Sequence, residues 1–155
     1  MRFFLEILFL SNSTLAMTPN PRVYPVRSVI KIVDGDTFDA EIDLGFDVTV
    51  KKRIRVEGID CPEARGGSED DKHFAKIASE WLSTRLNSAV DLQISPSTTR
   101  DDPYGREIAR VSDKTSPDFG IEMIQAHHAV AYNGEVNRDE LKALHELNYE
   151  ILRSS

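Results

Sequence analysis

Residues 29–56 read VIKIVDGDTFDAEIDLGFDVTVKKRIRV, and this pattern predicts three strands in succession. The β-branched run from Val29 to Val33 ends at an Asp-Gly pair, which is typical of a tight turn. Apolar residues then alternate with acidic ones from Phe38 to Leu44, as in a strand with one buried face. After a second turn near Gly45, the alternation resumes from Phe46 to Val56 and leaves basic side chains on the other face. The stretch therefore predicts a three-stranded meander.

The rest of the chain predicts three helices and two more strands. Ser68 and Asp71 have the spacing of a capping box, and apolar residues follow at helical spacing as far as Leu86. The other predicted elements are strands at 90–94 and 107–111, a short helix after Asp118 and a last helix after Asn137. The last helix is expected to bury a stripe of Leu141, Leu144, Asn148, Ile151 and Leu152. The expected fold class is α+β, with five short strands forming a small barrel.

The composition indicates one domain with an acidic surface. A chain of 155 residues is long enough for a single domain with its own core. Its single cysteine, Cys61, excludes an internal disulfide and a cysteine-based zinc cluster. The net charge of −7 argues against binding nucleic acid through bulk electrostatics. Four positive charges between Lys51 and Arg55 nevertheless form a basic patch, so any polyanion would bind locally.

The first sixteen residues have the outline of a secretory signal peptide, in which a short apolar run precedes small residues at a cleavage site. Glu6 lies inside that run, however, and Met17 opens a polar stretch, so residues 1–16 also fit a mis-called start. The segment is too short to span a membrane as a helix. We expect a polar arm at 17–25 and one folded domain at 26–155. The domain would be secreted or periplasmic in the first case and intracellular in the second.

Two short acidic segments could bind a hard cation. Asp34–Thr37 is a turn with two carboxylates, and Asp60–Glu63 follows the end of a predicted strand. Calcium takes carboxylate, carbonyl and water oxygens. Pro62 favours an extended Cys61, which could aim the Cys61 carbonyl outward. Taken alone, an Asp-Gly turn of this kind is most often a hairpin turn. An EF-hand is excluded because its twelfth position would be Gly45.

Two arginines could bind a phosphate. Arg55 ends a strand with a basic face, and Arg106 closes a turn that also carries Tyr104. Arginine grips phosphate through two parallel hydrogen bonds, although an arginine at a strand end is most often a solvated edge charge. His145 does not begin a zinc-protease motif, because the second histidine of that motif is replaced by Tyr149.

The order of these segments resembles the staphylococcal nuclease (thermonuclease) family. The matching segments are 29–37 with its Asp-Gly-Asp-Thr turn, 55–63 with Asp-Cys-Pro-Glu, and Tyr-Gly-Arg at 104–106. The resemblance covers about residues 26–132, and the last predicted helix fits the third helix of the family. It implies an OB-fold barrel with three helices. It also implies calcium-dependent cleavage of DNA, RNA or both that leaves 3′-phosphates.

The resemblance implies a role for each matching residue. One calcium ion would be bound by the carboxylates of Asp36 and Asp60 and by the backbone carbonyl of Cys61, with Asp34 supporting these ligands from behind. Glu63 would position or deprotonate the attacking water, and Arg55 and Arg106 would clamp the phosphate. Tyr104 and Tyr132 would lie near the nucleotide.

Two departures and two rival interpretations remain. Pro103 stands where the type member of the family has a lysine near the 3′-phosphate, and the chain is acidic where that member is basic. Both differences predict weak, salt-sensitive substrate binding. The rivals are a non-catalytic OB-fold module that binds single-stranded nucleic acid or a protein partner, and a calcium-stabilised structural domain. The complete acid and arginine set favours an enzyme over both rivals. We expect a monomer, with no membrane segment in the mature protein.

Overall fold

Within residues 22–98 and 102–155, which the computed structural model describes, five strands close into a barrel and two shorter strands pair beside it. The expectations for residues 1–16 and for most of the arm at 17–25 lie outside the described residues. The barrel strands are β1 Tyr24–Asp34, β2 Thr37–Asp43, β3 Thr49–Val56, β5 Gln93–Pro96 and β6 Glu107–Ser112, and the pair is β4 Ile59–Asp60 with β7 Val130–Ala131. The helices of this part are α1 Glu69–Asn87, α2 Phe119–Gln125 and α3 Arg138–Ser154.

The barrel follows the strand order β1-β2-β3-β6-β5, and β5 returns to pair with β1. Neighbouring strands are antiparallel except β3 and β6, which run parallel. This barrel, with the three helices of the described residues, confirms the predicted α+β fold of the OB type. No helix of the described part has the length and apolar character that crossing a membrane requires.

The core combines the inner face of the barrel with one face of α1. Phe38 and Ala40 of β2 and Ile54 of β3 are fully buried, as their alternation predicts. α1 begins at the predicted capping box, in which Ser68 and Asp71 bind each other's backbone N–H groups. Its buried face consists of Phe74, Ala75, Ala78, Leu82 and Leu86. The last three belong to the same apolar cluster as the barrel residues, so α1 is part of the core.

The connection between β2 and β3 is longer than the alternation predicts. Gly45, Phe46 and Asp47 have positive φ angles of 81°, 54° and 59°. Phe46 and Val48 are exposed, and β3 begins only at Thr49. The predicted strand position of Phe46 is therefore wrong, because left-handed backbone interrupts the alternation before strand pairing resumes.

α3 begins after the predicted cap, Asn137, and most of the expected stripe (Leu141, Asn148, Ile151 and Leu152) is half-buried, but the most buried positions lie beside that stripe. Its buried residues are His145 and Tyr149, whereas Leu144 is exposed. The predicted position of Leu144 is wrong because the inner face of α3 meets carboxylates. Histidine and tyrosine can hydrogen-bond a carboxylate there, and leucine cannot.

The acidic turn between β1 and β2 packs directly against α1. A Cβ atom on Gly35 would lie 2.8 Å from Cβ of Ala78 and 3.0 Å from Sγ of Cys61. Only glycine fits this approach without displacing the helix or the second acidic segment. Gly35 thus fixes the distance between the turn and Cys61.

An ion cluster joins the opposite end of α1 to α2. Arg85 donates to both oxygens of Asp113 at 3.0 and 3.1 Å, and its Nε lies 2.8 Å from Glu122. The Asp113 side chain is completely buried. These bonds from Arg85, together with those from Thr115, hold the pKa of Asp113 well below its usual range. The cluster therefore stabilises the fold in its ionised form.

Replacing Asp113 with Asn should destabilise the protein by about 3 kcal/mol at neutral pH, because it breaks a buried ion pair. The folded pKa of Asp113 lies below the ordinary value of 3.8, so this stabilisation is complete above that value and declines as the pH falls towards the folded pKa. Urea unfolding of wild type and Asp113→Asn at about pH 7 and about pH 3 measures the difference, which should be smaller in acid.

Asp47→Asn, which alters an exposed carboxylate in the β2–β3 turn, is the control. Equal effects of the two substitutions at neutral pH, or a difference that does not change with pH, would contradict the role of Asp113.

Candidate active site

The predicted site residues meet at one end of the barrel. An open cavity of about 630 Å³, the main cavity, is lined by Asp34, Asp36, Arg55, Asp60, Cys61, Glu63, Tyr104 and Arg106, together with Lys31, Arg53 and Arg65 among others. A second cavity of about 560 Å³ is lined in part by Tyr132, Arg138, Lys142 and His145. Both cavities share residues 60–63. The structure therefore brings eight of the nine predicted residues to the main cavity and places Tyr132 on the adjoining one.

Strand pairing puts Arg55 between the two acidic segments. Arg55 of β3 lies opposite Thr37 at the start of β2, and Val56 N donates to the carbonyl of Asp36 at 2.8 Å. Nη2 of Arg55 then lies 3.4 Å from Oδ2 of Asp36 and 3.3 Å from Oδ1 of Asp60. Nη1 donates to the carbonyl of Ile59 at 3.0 Å. With only 11% of its side chain exposed, Arg55 is held in place as a bridge between the carboxylates.

The Asp36 carboxyl is buried between Arg55 and Asp34. Burial raises the pKa of its carboxyl to about 6, against the opposing effect of Arg55, and the neighbouring charge of Asp34 raises it further. The Asp36 carboxylate accepts from Oγ1 of Thr37 at 2.8 Å and from the backbone N of Cys61 at 3.3 Å. Asp34 in turn accepts from the backbone N of Asp36 at 3.3 Å. Asp36 and Asp60 share the single guanidinium of Arg55. Two negative charges beside one positive charge favour the binding of a further cation.

The second arginine is fixed by an acid that sequence reasoning missed. Asp102 accepts from Nε and Nη2 of Arg106 at 3.0 and 2.8 Å, and also from the backbone N of Arg106 and of Tyr104. Only 4% of the Asp102 side chain is exposed. The hydrogen bonds from Arg106 lower the pKa of Asp102 to about 2. Nη1 of Arg106 has no hydrogen-bond partner among residues 22–98 and 102–155, which leaves it available to a ligand.

Each of the two arginines lies near a tyrosine ring. Cζ of Arg55 is 5.9 Å from the centre of the Tyr132 ring, and Cζ of Arg106 is 5.5 Å from that of Tyr104. Tyr132 is positioned by the short β4–β7 pair, next to which its backbone N donates to the carbonyl of Gly58 at 2.9 Å. Tyr104 is 83% exposed. Both rings can therefore stack on an aromatic ligand.

Glu63 lies on the segment that the two cavities share. Its side chain is exposed and makes no hydrogen bond or ion pair within the described ranges 22–98 and 102–155. A carboxylate without a competing partner can accept a proton or a hydrogen bond from a bound water.

The donor atoms at the cavity fit a hard divalent cation. No group of three or more His, Cys, Asp or Glu side chains suited to a metal occurs in the described part of the chain, so a protein-only cage is absent there. The available donors are the carboxylates of Asp36 and Asp60, which share Nη2 of Arg55. The backbone carbonyl of Ile59 lies close by. Calcium completes such a set with water or ligand oxygens. Burial raises the pKa of the Cys61 thiol, which leaves only the backbone of Cys61 as a metal donor.

A second contact that sequence reasoning missed links α3 to the site. Nε2 of His145 lies 2.9 Å from Oδ2 of Asp60, although the two residues are 85 positions apart. The sequence carries no local signal for this contact. The pair of Asp102 and Arg106 does carry one, because an acid four residues before an arginine in a turn can bind it.

The barrel is of the OB type, and it groups carboxylates and guanidiniums at one cavity. The chain belongs to the family described as staphylococcal nuclease homologue, whose sequence model matches residues 53–150. The matched range includes Arg55, Asp60, Glu63 and Arg106 but begins after Asp36.

Three relatives carry endonuclease names. The chain is 28% identical over 109 residues to endonuclease YhcR of Bacillus subtilis. This alignment covers 67% of this chain and 9% of that protein. It is 31% identical over 85 residues to probable endonuclease LCL3 of Phaeosphaeria nodorum, covering 53% of this chain and 28% of that protein. The probable endonuclease lcl3 of Pyrenophora tritici-repentis is 28% identical over 89 residues, and the alignment covers 56% of this chain and 32% of that protein. The chain thus spans at most about a third of each of these relatives.

Substituting Asp102 with Asn should destabilise the protein by on the order of 1–3 kcal/mol, because four donors lose a charged acceptor that is almost fully buried. Urea unfolding at neutral pH measures this change. The matched control is Asp39→Asn, which weakens the exposed pair of Asp39 and Arg53 between β2 and β3 and should have a much smaller effect. Equal changes in stability would show that Asp102 does not fix its turn.

Proposed function

We propose that this chain is a calcium-dependent nuclease, which hydrolyses phosphodiester bonds of DNA, RNA or both and leaves 3′-phosphates. The observation that carries the proposal is the grouping around one cavity of two carboxylates bridged by Arg55, a second arginine, Arg106, and the carboxylate of Glu63. Among the described residues, neither Nη1 of Arg106 nor the Glu63 carboxylate has a hydrogen-bond partner. Membership of the staphylococcal nuclease homologue family supports it, and so do the endonuclease names of the relatives.

Asp36, Asp60 and the backbone carbonyl of Cys61 would hold the ion. When bound, calcium supplies positive charge next to the phosphate and lowers the pKa of a coordinated water. Asp34 supports the ligand set by accepting from the backbone N of Asp36, which fixes the turn. Asp36 and Asp60 share one guanidinium, so their negative charges favour a cation over a neutral ligand.

The arginines would bind the non-bridging oxygens of the scissile phosphate. Arg106 is oriented by Asp102 through Nε and Nη2 and keeps Nη1 for the substrate. Arg55 reaches both metal-binding carboxylates and therefore lies close to any phosphate beside them. Negative charge grows on the phosphate oxygens in the transition state, and donors fixed before the reaction stabilise it most effectively.

Glu63 would accept the proton of the attacking water. The water oxygen bonds to phosphorus while the bond between phosphorus and the 5′-oxygen breaks. A proton from solvent completes the 5′-hydroxyl, and the phosphate stays on the 3′-oxygen. Glu63 suits this role because its carboxylate lies at the cavity without a hydrogen bond within the described residues.

Tyr104 and Tyr132 would contact the nucleotides on either side of the phosphate. Tyr104 lies beside Arg106. Tyr132 lines the second cavity, and its ring lies beside Arg55. Stacking of bases on tyrosine is independent of sequence, so we expect little base preference. Because the chain as a whole has a net charge of −7, binding of the phosphate backbone depends on a few local cations and should be weak, and added salt should weaken it further.

The purified full chain should cleave plasmid and single-stranded DNA with calcium and lose this activity with a chelator. Glu63→Gln and Arg55→Ala should each lower kcat on the order of 100-fold or more, because each removes a group that acts in the transition state. Products should carry a 5′-hydroxyl, which polynucleotide kinase labels without phosphatase treatment. Circular dichroism checks that the variants are folded.

Glu80→Gln, on the exposed face of α1, is the control for Glu63→Gln and should leave activity unchanged. Cleavage that persists with chelator would refute the calcium requirement. Binding of single-stranded DNA without cleavage would identify the chain as a non-catalytic module instead.

A further inference from the structure

Two buried residues of α3 contact acids on either side of the segment that carries Glu63. This segment, residues 61–68 between β4 and α1, is called the Glu63 loop below. His145 and Tyr149 are the buried residues of α3. They are four positions apart, so they lie on the same face of the helix. One helix face therefore contacts an acid before the loop and an acid after it.

The first contact holds Asp60, the residue directly before the loop. Nε2 of His145 lies 2.9 Å from Oδ2 of Asp60, and because an ionised carboxylate only accepts, Nε2 donates. His145 is 7% exposed, and its Nδ1 is buried without a hydrogen-bond partner in the described part of the chain. A buried ring nitrogen without a partner, such as Nδ1 of His145, costs free energy of folding. An apolar side chain at position 145 would not have this cost. The bond to Asp60 is thus the polar contact that a histidine provides at this position.

The second contact holds Ser68, the last residue of the loop, through Asp71. Oη of Tyr149 donates to Oδ1 of Asp71 at 2.7 Å. Oδ2 of Asp71 accepts from the backbone N and from Oγ of Ser68, both at 2.8 Å. The Tyr149 ring stacks on Phe74 of α1 at 4.3 Å between ring centres and with 7° between planes. Both ring and hydroxyl therefore fix α3 against the start of α1.

The middle of the loop lacks comparable support. Residues 63–66 are exposed, and Gly66 has a positive φ of 80°. At the far end, a Cβ on Gly67 would lie 2.7 Å from Cβ of Asp71, and at the near end Cys61 packs closely against Gly35. The loop is therefore closely packed at its two ends and exposed in between. The location of Glu63 consequently depends on how firmly the two ends are held.

We infer that His145 and Tyr149 are positioning residues, through which α3 holds the Glu63 loop at both ends and aligns Glu63 with Asp60. The inference rests on the proposed function, which gives Glu63 and Asp60 their roles. His145 acts through Asp60, and Tyr149 acts through Asp71 and Ser68. Neither side chain needs to touch the reacting atoms.

Calcium titration of the full chain by calorimetry tests the first contact. His145→Leu fills the space but cannot donate, and it should weaken calcium binding on the order of 10-fold, the effect typical of losing a residue that orients a metal ligand. His145→Gln retains a donor and should restore most of the affinity. The control is His128→Leu, because His128 packs on Trp81 and does not line either cavity. Its Nδ1 is also buried, with no hydrogen-bond partner among the described residues.

Hydrogen exchange followed by mass spectrometry tests the second contact without calcium or substrate. Tyr149→Phe keeps the ring but removes the hydroxyl, and exchange of the amides at 61–68 should become about tenfold faster, as expected for one lost hydrogen bond to a charged group. Its calcium affinity should be unchanged, and kcat should fall while KM stays constant. Tyr24→Phe in β1 is the control and should alter none of these values.

The outcomes separate this inference from the proposed function. A wild-type protein that cleaves no nucleic acid would refute the nuclease proposal, and the exchange and calcium measurements would still test the positioning contacts. Unchanged exchange of the loop in both His145→Leu and Tyr149→Phe would overturn the inference even in an active nuclease. Faster exchange with wild-type calcium affinity in His145→Leu would overturn the role of His145 in orienting Asp60.

Discussion

Two acidic segments that are 25 residues apart meet because residue 35 has no side chain. The absence of a Cβ at Gly35 lets the β1–β2 turn approach α1 and Cys61, and only then can Oδ2 of Asp36 accept from the backbone N of Cys61. The position of Asp60 relative to Asp36 follows from this approach. Arg55 then bridges the two carboxylates from the neighbouring strand. The two carboxylates by themselves would repel each other, so the geometry of the cavity depends on this steric constraint as well as on the bridge from Arg55.

The cavity brings positive and negative side chains together, whereas the chain as a whole is acidic. The chain as a whole has a net charge of −7, yet Arg55 and Arg106 face the same cavity. Each guanidinium is held by carboxylates and lies near a tyrosine, which limits its freedom before any ligand arrives. Fixed donors need little reorganisation when charge develops on a bound phosphate. Local order in these side chains can thus compensate for a weak long-range attraction to a polyanion.

The barrel and the site residues on it could be predicted because their signals are local. Alternation along β2, the Asp-Gly turn and the capping box at Ser68 each involve residues within a few positions of one another. The family resemblance then grouped residues whose individual patterns were ambiguous. Strand β4 and its partner β7 escaped prediction because two residues are too few to show a period.

The errors and omissions share a different physical origin. Phe46 alternates correctly but lies in left-handed backbone, which hydrophobicity does not report. Leu144 was expected to face the core because an apolar stripe was assumed, whereas the inner face of α3 meets two carboxylates from distant segments. His145 could not be recognised for the same reason. Contacts made by a polar side chain across 85 residues leave no periodicity in the sequence.

The position of α3 has a consequence for the order in which the molecule is completed. Asp60 leaves the ribosome 85 residues before His145, and the barrel strands are all synthesised before α3 begins at Arg138. A nascent chain can therefore close its barrel while the loop that carries Glu63 still lacks both of its contacts to α3. Assembly of the cavity in its final shape is coupled to the docking of this helix, so a partly synthesised chain contains the reactive groups without their final alignment.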